Sequence, residues 1–367
     1  MRYAWSAAGL AAAVVITGVA LSQLAESRQG VAPSANVVAT APTGVSMSPV
    51  MASTPSKAVI TPVATARDGP RSRVMMDCAA SPHVCGYPDA TNTGVQPGQA
   101  LVAVPGQETS GPGWAWNASW GTIEVTGAGA VLSDLAVAGT VDVDASNVTL
   151  DNLQVTTGGN IWAVGLSHAD GTLIEHCSIS SPAASGALRL QAGIKDIYGD
   201  TTGTVIKDDN IWHAEGGIAL SAGLIEGNYI HDFAYQAGDH TDGIISNAGS
   251  AAGLTITGNT ILNALTQTDD IALFQNFGPQ MNASITGNLL AGGGYSIYGG
   301  GSSLPGATTP ADITITGNRF SPLYYPTGGY YGTSAYTAAG VNGNTWTGNT
   351  WTGNTWDNTV RPVNWRN

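Results

Sequence analysis

Four segments in the second half of the chain, residues 224–230, 254–261, 283–290 and 313–320, alternate apolar and polar side chains and then turn at the same Gly-Asn pair. Their asparagines, Asn228, Asn259, Asn288 and Asn318, are 31, 29 and 30 residues apart. Degenerate copies precede them at 131–135, 148–152, 173–179 and 205–211. Brief alternation followed by Gly-Asn is the pattern of a short strand and a turn. Strands at this spacing, with no helical segment between them, stack into a solenoid. The sequence therefore predicts an all-β, right-handed, single-stranded parallel β-helix from about residue 100 to about residue 340. Its Ile, Val and Leu positions would fill one interior column, and its aligned asparagines would form a side-chain ladder from coil to coil.

Composition agrees. The chain has 49 glycines among 367 residues and only 10% charged residues, too few helix formers for a bundle or coiled coil. From residue 76 onward 6 cations face 23 acids, a net of -17. Such a surface repels phosphate backbones and anionic lipid, which argues against a nucleic-acid partner.

Three segments are expected. Residues 1–25 open with Arg2 and an apolar run, the pattern of a signal peptide or a single N-terminal membrane anchor, so the body is expected to be secreted or held at the cell surface. Residues 26–75, built mainly of Ala, Pro, Ser, Thr and Val, read as a disordered linker. Residues 76–367 form the β-helix domain with its Trp- and Tyr-rich tail. Cys78 and Cys85 can close a disulfide in an oxidising compartment, whereas Cys177, in an apolar run, reads as a buried thiol. The tail repeats Asn-Thr-Trp from Asn344, Asn349 and Asn354; bulky side chains covering the solenoid end are favoured over a row of sugar platforms.

Chemistry concentrates in the middle. Eleven of the 23 acids, together with His213, His231 and His240, fall between residues 195 and 270. Aligning the strand after each turn gives an outward column of Lys195, Gly216, Asp242, Asp269 and Tyr295. Its neighbour reads Asp196, Gly217, Gly243, Asp270 and Ser296. Coils about 4.8 Å apart would stack Asp242 on Asp269, with Asp270 beside them and His240 close by. Crowded carboxyls cannot all ionise cheaply, so one should hold its proton to high pH, the equipment for splitting a glycosidic bond. The candidate catalytic residues are Asp242, Asp269, Asp270 and His240, with Tyr295, Lys195, His213 and Glu215 as substrate contacts. Glycines 216 and 217 would leave room for the ligand. No metal ligand set is assigned and no cofactor is required, although Ca²⁺ could be shared by the acids. Solubilising surface charge is the plainer alternative.

Residues 85–94, 239–244, 292–298 and 317–320 and the Trp-containing tail resemble the secreted right-handed parallel β-helix proteins of actinobacteria, with the pectin-lyase-like fold. Within them, Thr241-Asp-Gly-Ile followed by Thr268-Asp-Asp-Ile is similar to the polygalacturonase family. That resemblance implies that Asp242, Asp269 and Asp270 protonate the leaving oxygen and activate water. The family's Gly-His-Gly and Arg-x-Lys motifs are missing here: no histidine follows His240, and no Lys or Arg lies between Lys207 and Arg319. Those cations hold a substrate carboxylate, so the expected partner is a neutral polysaccharide or cell-wall glycan. A Ca²⁺-dependent lyase using Lys195, Lys207 or Arg189, or a non-catalytic surface module, are the alternatives.

Overall fold

A computed structural model describes residues 77–184, 186–301, 308–335, 348–359 and 361–364. The leader and linker expectations, and the first tail repeat from Asn344 to Trp346, lie outside them.

Almost every coil gives one strand to each of three long sheets, of 10, 11 and 9 strands, and successive coils pair in parallel. One coil shows the plan. Leu254–Thr257 belongs to the 9-stranded sheet, Thr260–Asn263 to the 10-stranded sheet and Asp269–Leu273 to the 11-stranded sheet. This is a parallel β-helix. An antiparallel meander of Ser110–Gly111, Trp114–Asn117 and Thr122–Val125 starts the 11-stranded sheet.

The corner between the 9- and 10-stranded sheets explains the Gly-Asn signature. Gly227, Gly258, Gly287, Gly317 and Gly353 all have left-handed φ near 65° (67, 63, 66, 64 and 66°), a backbone that a Cβ disfavours. Earlier coils place Asp134, Asn152, His176 and Asp208 in the same conformation, which blurs the repeat in sequence. The following asparagine turns inward. Asn228 donates its side-chain amide to the Ile206 carbonyl in the previous coil at 3.0 Å, and its own backbone N–H donates to Asn259 Oδ1 at 2.9 Å. The pattern repeats through Asn259, Asn288 and Asn318 to Asn354. Each amide is satisfied, so this buried polar column stabilises rather than costs.

The solenoid runs past the expected limit near residue 340. Thr350–Thr352 and Thr355–Trp356 add strands to the 9- and 10-stranded sheets. Trp351 stacks on Phe320 with ring centroids 5.9 Å apart, and Trp351 and Trp356 pack on the core, so in the described part of the tail the tryptophans do close the end. Cys177 is free and buried.

Cys78 and Cys85 form a disulfide. The segment that carries it lies on the outer face of the 10-stranded sheet, where Cys78 and Ala79 pack on Leu262, Leu289 and Ala291. It is tied to late coils by Ala79 N–H to Asp357 Oδ2 (3.0 Å) and to earlier ones by Gly94 N–H to the Asp208 carbonyl (2.8 Å) and Gln96 N–H to Asn152 Oδ1 (2.6 Å). It then enters the first strand of that sheet, Val102–Val104.

Candidate functional site

The register of the 11-stranded sheet stacks Ala192, Gly216, Asp242, Asp269, Tyr295 and Gly332. Asp242, Asp269 and Tyr295 are thus neighbours as the sequence alignment expected. Lys195 is not in the column: it pairs with Ala219, because Ile194 rather than Ile197 occupies the interior position opposite Ile218. Leu190, Ala192 and Ile194 share one phase of the strand Leu190–Asp196, and Ile197, on which the sequence alignment is framed, lies beyond it.

Asn263 fixes the stacking locally. Its buried amide donates to the carbonyls of Thr241 (3.1 Å) and Asp269 (3.0 Å), tying together the residues that open the two strands. A Cβ on Gly293 would lie 2.8 Å from the Asp269 backbone, so the next coil closes over Asp269 only because this residue is glycine.

The second column does not face outward as expected. A Cβ on Gly217 would meet the core residue Ile230 at 2.8 Å, and one on Gly243 would meet Ile261 at 2.6 Å. Asp270, next in that column, is correspondingly inside the solenoid, with no solvent exposure and no hydrogen-bond partner in bonding geometry for either oxygen. Burial holds its pKa well above the ordinary carboxyl value, against the opposing effect of the nearby Ser296 hydroxyl. Asp270 therefore cannot touch a substrate in this arrangement. Gly217 serves interior packing and opens no space for a ligand.

Asp269 is also fully buried, and burial together with the Asp242 charge pushes its pKa far up. Its carboxyl meets that of Asp242 closely enough to share one proton. Burial raises Asp242 to about 6, while contact with Asp269, the charge of His240 and the Thr268 hydroxyl favour its ionised form. The pair holds one proton and one charge near neutral pH. Only Asp242 of the three aspartates has any exposure.

Asp242 reaches a cleft of about 560 Å³, lined also by His240, Gln267, Thr268, Asn276, Phe274, Tyr298 and Tyr331. Phe274 and Tyr298 pack at 5.0 Å between centroids, and Tyr295 buttresses Tyr298 and Tyr331 from behind at 5.5 and 5.7 Å. Tyr295 supports the aromatic wall and does not itself line the cleft. His240 is exposed at the rim, its Nδ1 3.3 Å from Thr268 Oγ1. The sequence reading missed Tyr298, three residues after Tyr295 and the next outward position of that strand, and it missed Phe274 and Tyr331.

The other expected contacts lie outside the cleft. Glu215 accepts from Arg189 (2.9 Å) and from the His240 backbone N–H (3.3 Å); Arg189 also forms a buried bidentate pair with Asp239. Burial and the Asp239 charge raise Glu215 to about 7 against the opposing Arg189 charge. This network holds the 239–240 turn that positions His240. Lys195 Nζ lies 5.2 Å from the Trp162 ring centre, and burial lowers its pKa. His213 Nδ1 sits 3.2 Å from the Ser181 carbonyl at a corner before the sheet.

Asp242, Asp269 and Asp270 do not gather three ligand atoms for a metal. Among the described residues, such a trio occurs only at Asp151, Glu175 and His176, on the 9-stranded sheet, and there Lys207 Nζ already lies 2.7 Å from Glu175. Comparison with known proteins returned no matching family model, no matching curated relative and no matching solved structure.

Proposed function

We propose that the protein is a carbohydrate-active enzyme of the cell exterior that hydrolyses a neutral polysaccharide in the cleft beside Asp242. The observation that carries this reading is a proton-sharing carboxyl pair at the base of an aromatic-walled cleft. Rings of Phe274, Tyr298 and Tyr331 offer apolar faces to a sugar, while Gln267, Thr268 and Asn276 supply hydrogen bonds. The absence of Lys and Arg from the lining disfavours a uronate substrate. The Cys78–Cys85 disulfide supports export, and the resemblance to secreted actinobacterial β-helix proteins and to the polygalacturonase aspartates points the same way.

Chemically, Asp242 gives the shared proton to the glycosidic oxygen as the bond to the anomeric carbon breaks. Asp269, shielded from solvent, holds that proton in reserve and cannot act as a nucleophile. The two carboxyls are in contact, closer than the roughly 5–5.5 Å of a retaining pair or the roughly 6.5–9.5 Å of an inverting pair. The base must therefore come from elsewhere in the cleft, and His240 at the rim is placed to accept the proton of the attacking water. The burial of Asp269 and Asp270 favours a second reading, a glycan-binding groove without turnover.

Reducing-end release from a panel of plant and microbial polysaccharides separates the readings, followed alongside the ultraviolet absorbance of an unsaturated product. Reducing ends that vanish in Asp242→Asn support hydrolysis at this pair. Absorbance gain indicates a lyase. Binding without either product indicates the groove.

A further inference from the structure

The 9-stranded sheet changes character along the solenoid axis. Its outward columns read Val131, Thr149, Leu173, Val205 and Leu224, and beside them Ser133, Asp151, Glu175, Lys207 and Glu226, through the first five coils. In the next four coils both of these columns are hydroxyls, Thr255 and Thr257, Ser284 and Thr286, Thr314 and Thr316, Thr350 and Thr352, with Asn282 and Asp312 exposed beside them. Between the columns, Ile256, Ile285 and Ile315 are buried in the core and Trp351 packs on it, so the two rows are carried on a rigid floor.

Parallel pairing sets the spacing of this grid in both directions, about 4.8 Å between coils and about 6.6 Å along a strand. The coil-to-coil repeat is close to the shortest lattice repeat of hexagonal ice. The grid carries no charged side chain across four coils, on a body of net charge -17; Glu226 bounds it at one end and Asp312 at one side. An uncharged, periodic, half-apolar surface complements an uncharged lattice and has nothing to offer a charged polymer. The hydroxyls of Thr255, Thr257, Thr314, Thr316, Thr350 and Thr352 make no hydrogen bond within the described protein, whereas Ser284 Oγ lies 3.0 Å from Thr286 Oγ1 and interrupts the pattern in one rung.

We infer that this face is an ice-binding surface, its threonine methyls and hydroxyls ordering a layer of water that joins the ice lattice. The inference stands apart from the cleft, which opens on the 11-stranded sheet.

The test is uptake of the full chain into a slowly grown ice hemisphere, with thermal hysteresis measured in parallel. The variants are Thr286→Tyr and Thr316→Tyr, both outward-facing and central, and Val131→Tyr as a control on the same sheet outside the grid. Far-UV circular dichroism and thermal unfolding confirm that each is folded. Wild type and Val131→Tyr are expected to enter the ice, and the two threonine variants to fall by about tenfold or more in ice-bound fraction, the loss of about 1.4 kcal/mol of binding. Exclusion of the folded wild type from ice, as for an inert protein, overturns the inference. So does equal uptake of all four proteins. Adsorption to crystalline cellulose or chitin that the threonine variants abolish, without ice uptake, reassigns the grid to a solid polysaccharide.

Discussion

The asparagine ladder and the aspartates at the head of the 11-stranded sheet are both buried, polar and stacked coil upon coil, but only the ladder is satisfied. Each ladder amide has a carbonyl to donate to and a backbone N–H to accept from. Asp269 and Asp270 have four buried oxygens that no N–H or hydroxyl reaches in bonding geometry, and Asp269 has only the Asp242 carboxyl for company. The first column binds the coils together. The second raises the cost of ionisation, and the protein retains it beside the aromatic cleft. Unsatisfied burial of this kind is where a fold departs from its own rules in favour of chemistry.

The largest effect should come from breaking the satisfied column. Asn288→Ala removes donors and acceptors serving Ile256, Asn259 and Asn318, and should cost about 3–5 kcal/mol; urea unfolding reads it, and a cost below about 1 kcal/mol would deny the ladder its role. Asp269→Asn should do the reverse. It should leave the protein at least as stable at pH 7.5 as wild type while lowering turnover by about 100-fold or more, the scale of a lost general acid. Wild-type turnover in that variant would remove Asp269 from the mechanism.

Titration separates the columns further. The aspartates have folded pKa values above their unfolded ones, so the stability they contribute is complete below about pH 4 and declines as the unfolded chain, but not the folded one, gives up protons. For Asp242 that decline ends near its folded value of about 6. The melting temperature should therefore fall from pH 4.5 to pH 7, by the equivalent of about 1–3 kcal/mol, and the fall should shrink in Asp242→Asn. A melting temperature that rises over this interval in both proteins would show that the aspartates ionise freely. Under the proposed chemistry, activity should persist through about pH 6, where the pair passes from two protons to the one it shares, and drop only at higher pH as that proton is lost.

A smaller prediction joins the two columns. Asp209 occupies a ladder position: its Oδ1 accepts the Cys177 N–H at 2.6 Å, but its Oδ2 has no donor, and burial holds its pKa far up. A protonated Asp209 imitates an asparagine. Asp209→Asn should stabilise the protein by about 1 kcal/mol, more at pH 8 than at pH 5, as seen in the urea midpoint. Destabilisation at both pH values would mean that the acid is preferred there.

Sequence made the fold legible because Gly-Asn reports a left-handed corner and a ladder residue at once. It read the Asp242–Asp269 stacking correctly since both precede an interior isoleucine by two residues. It failed on Lys195 because Ile194 and Ile197 fit either phase, and on Asp270 because alternation within a strand does not reveal where the strand enters from its corner. Tyr331 lies well beyond the repeat that frames Asp242, and no local spacing brings the two together.

The segment around Cys78 has a consequence for biosynthesis. Ala79 is bonded to Asp357, 278 residues later, and Ser321 lies 3.3 Å from Asp77. This piece is made before any of the coils, yet part of its resting place, Asp357, is made 278 residues after Ala79. Coils can wind one after another as they appear, while the Cys78 segment waits for the turns that carry Ser321 and Asp357. Its docking then marks coils wound as far as Asp357, and a product cut short of that residue, however well wound, leaves the segment loose for a protease to find.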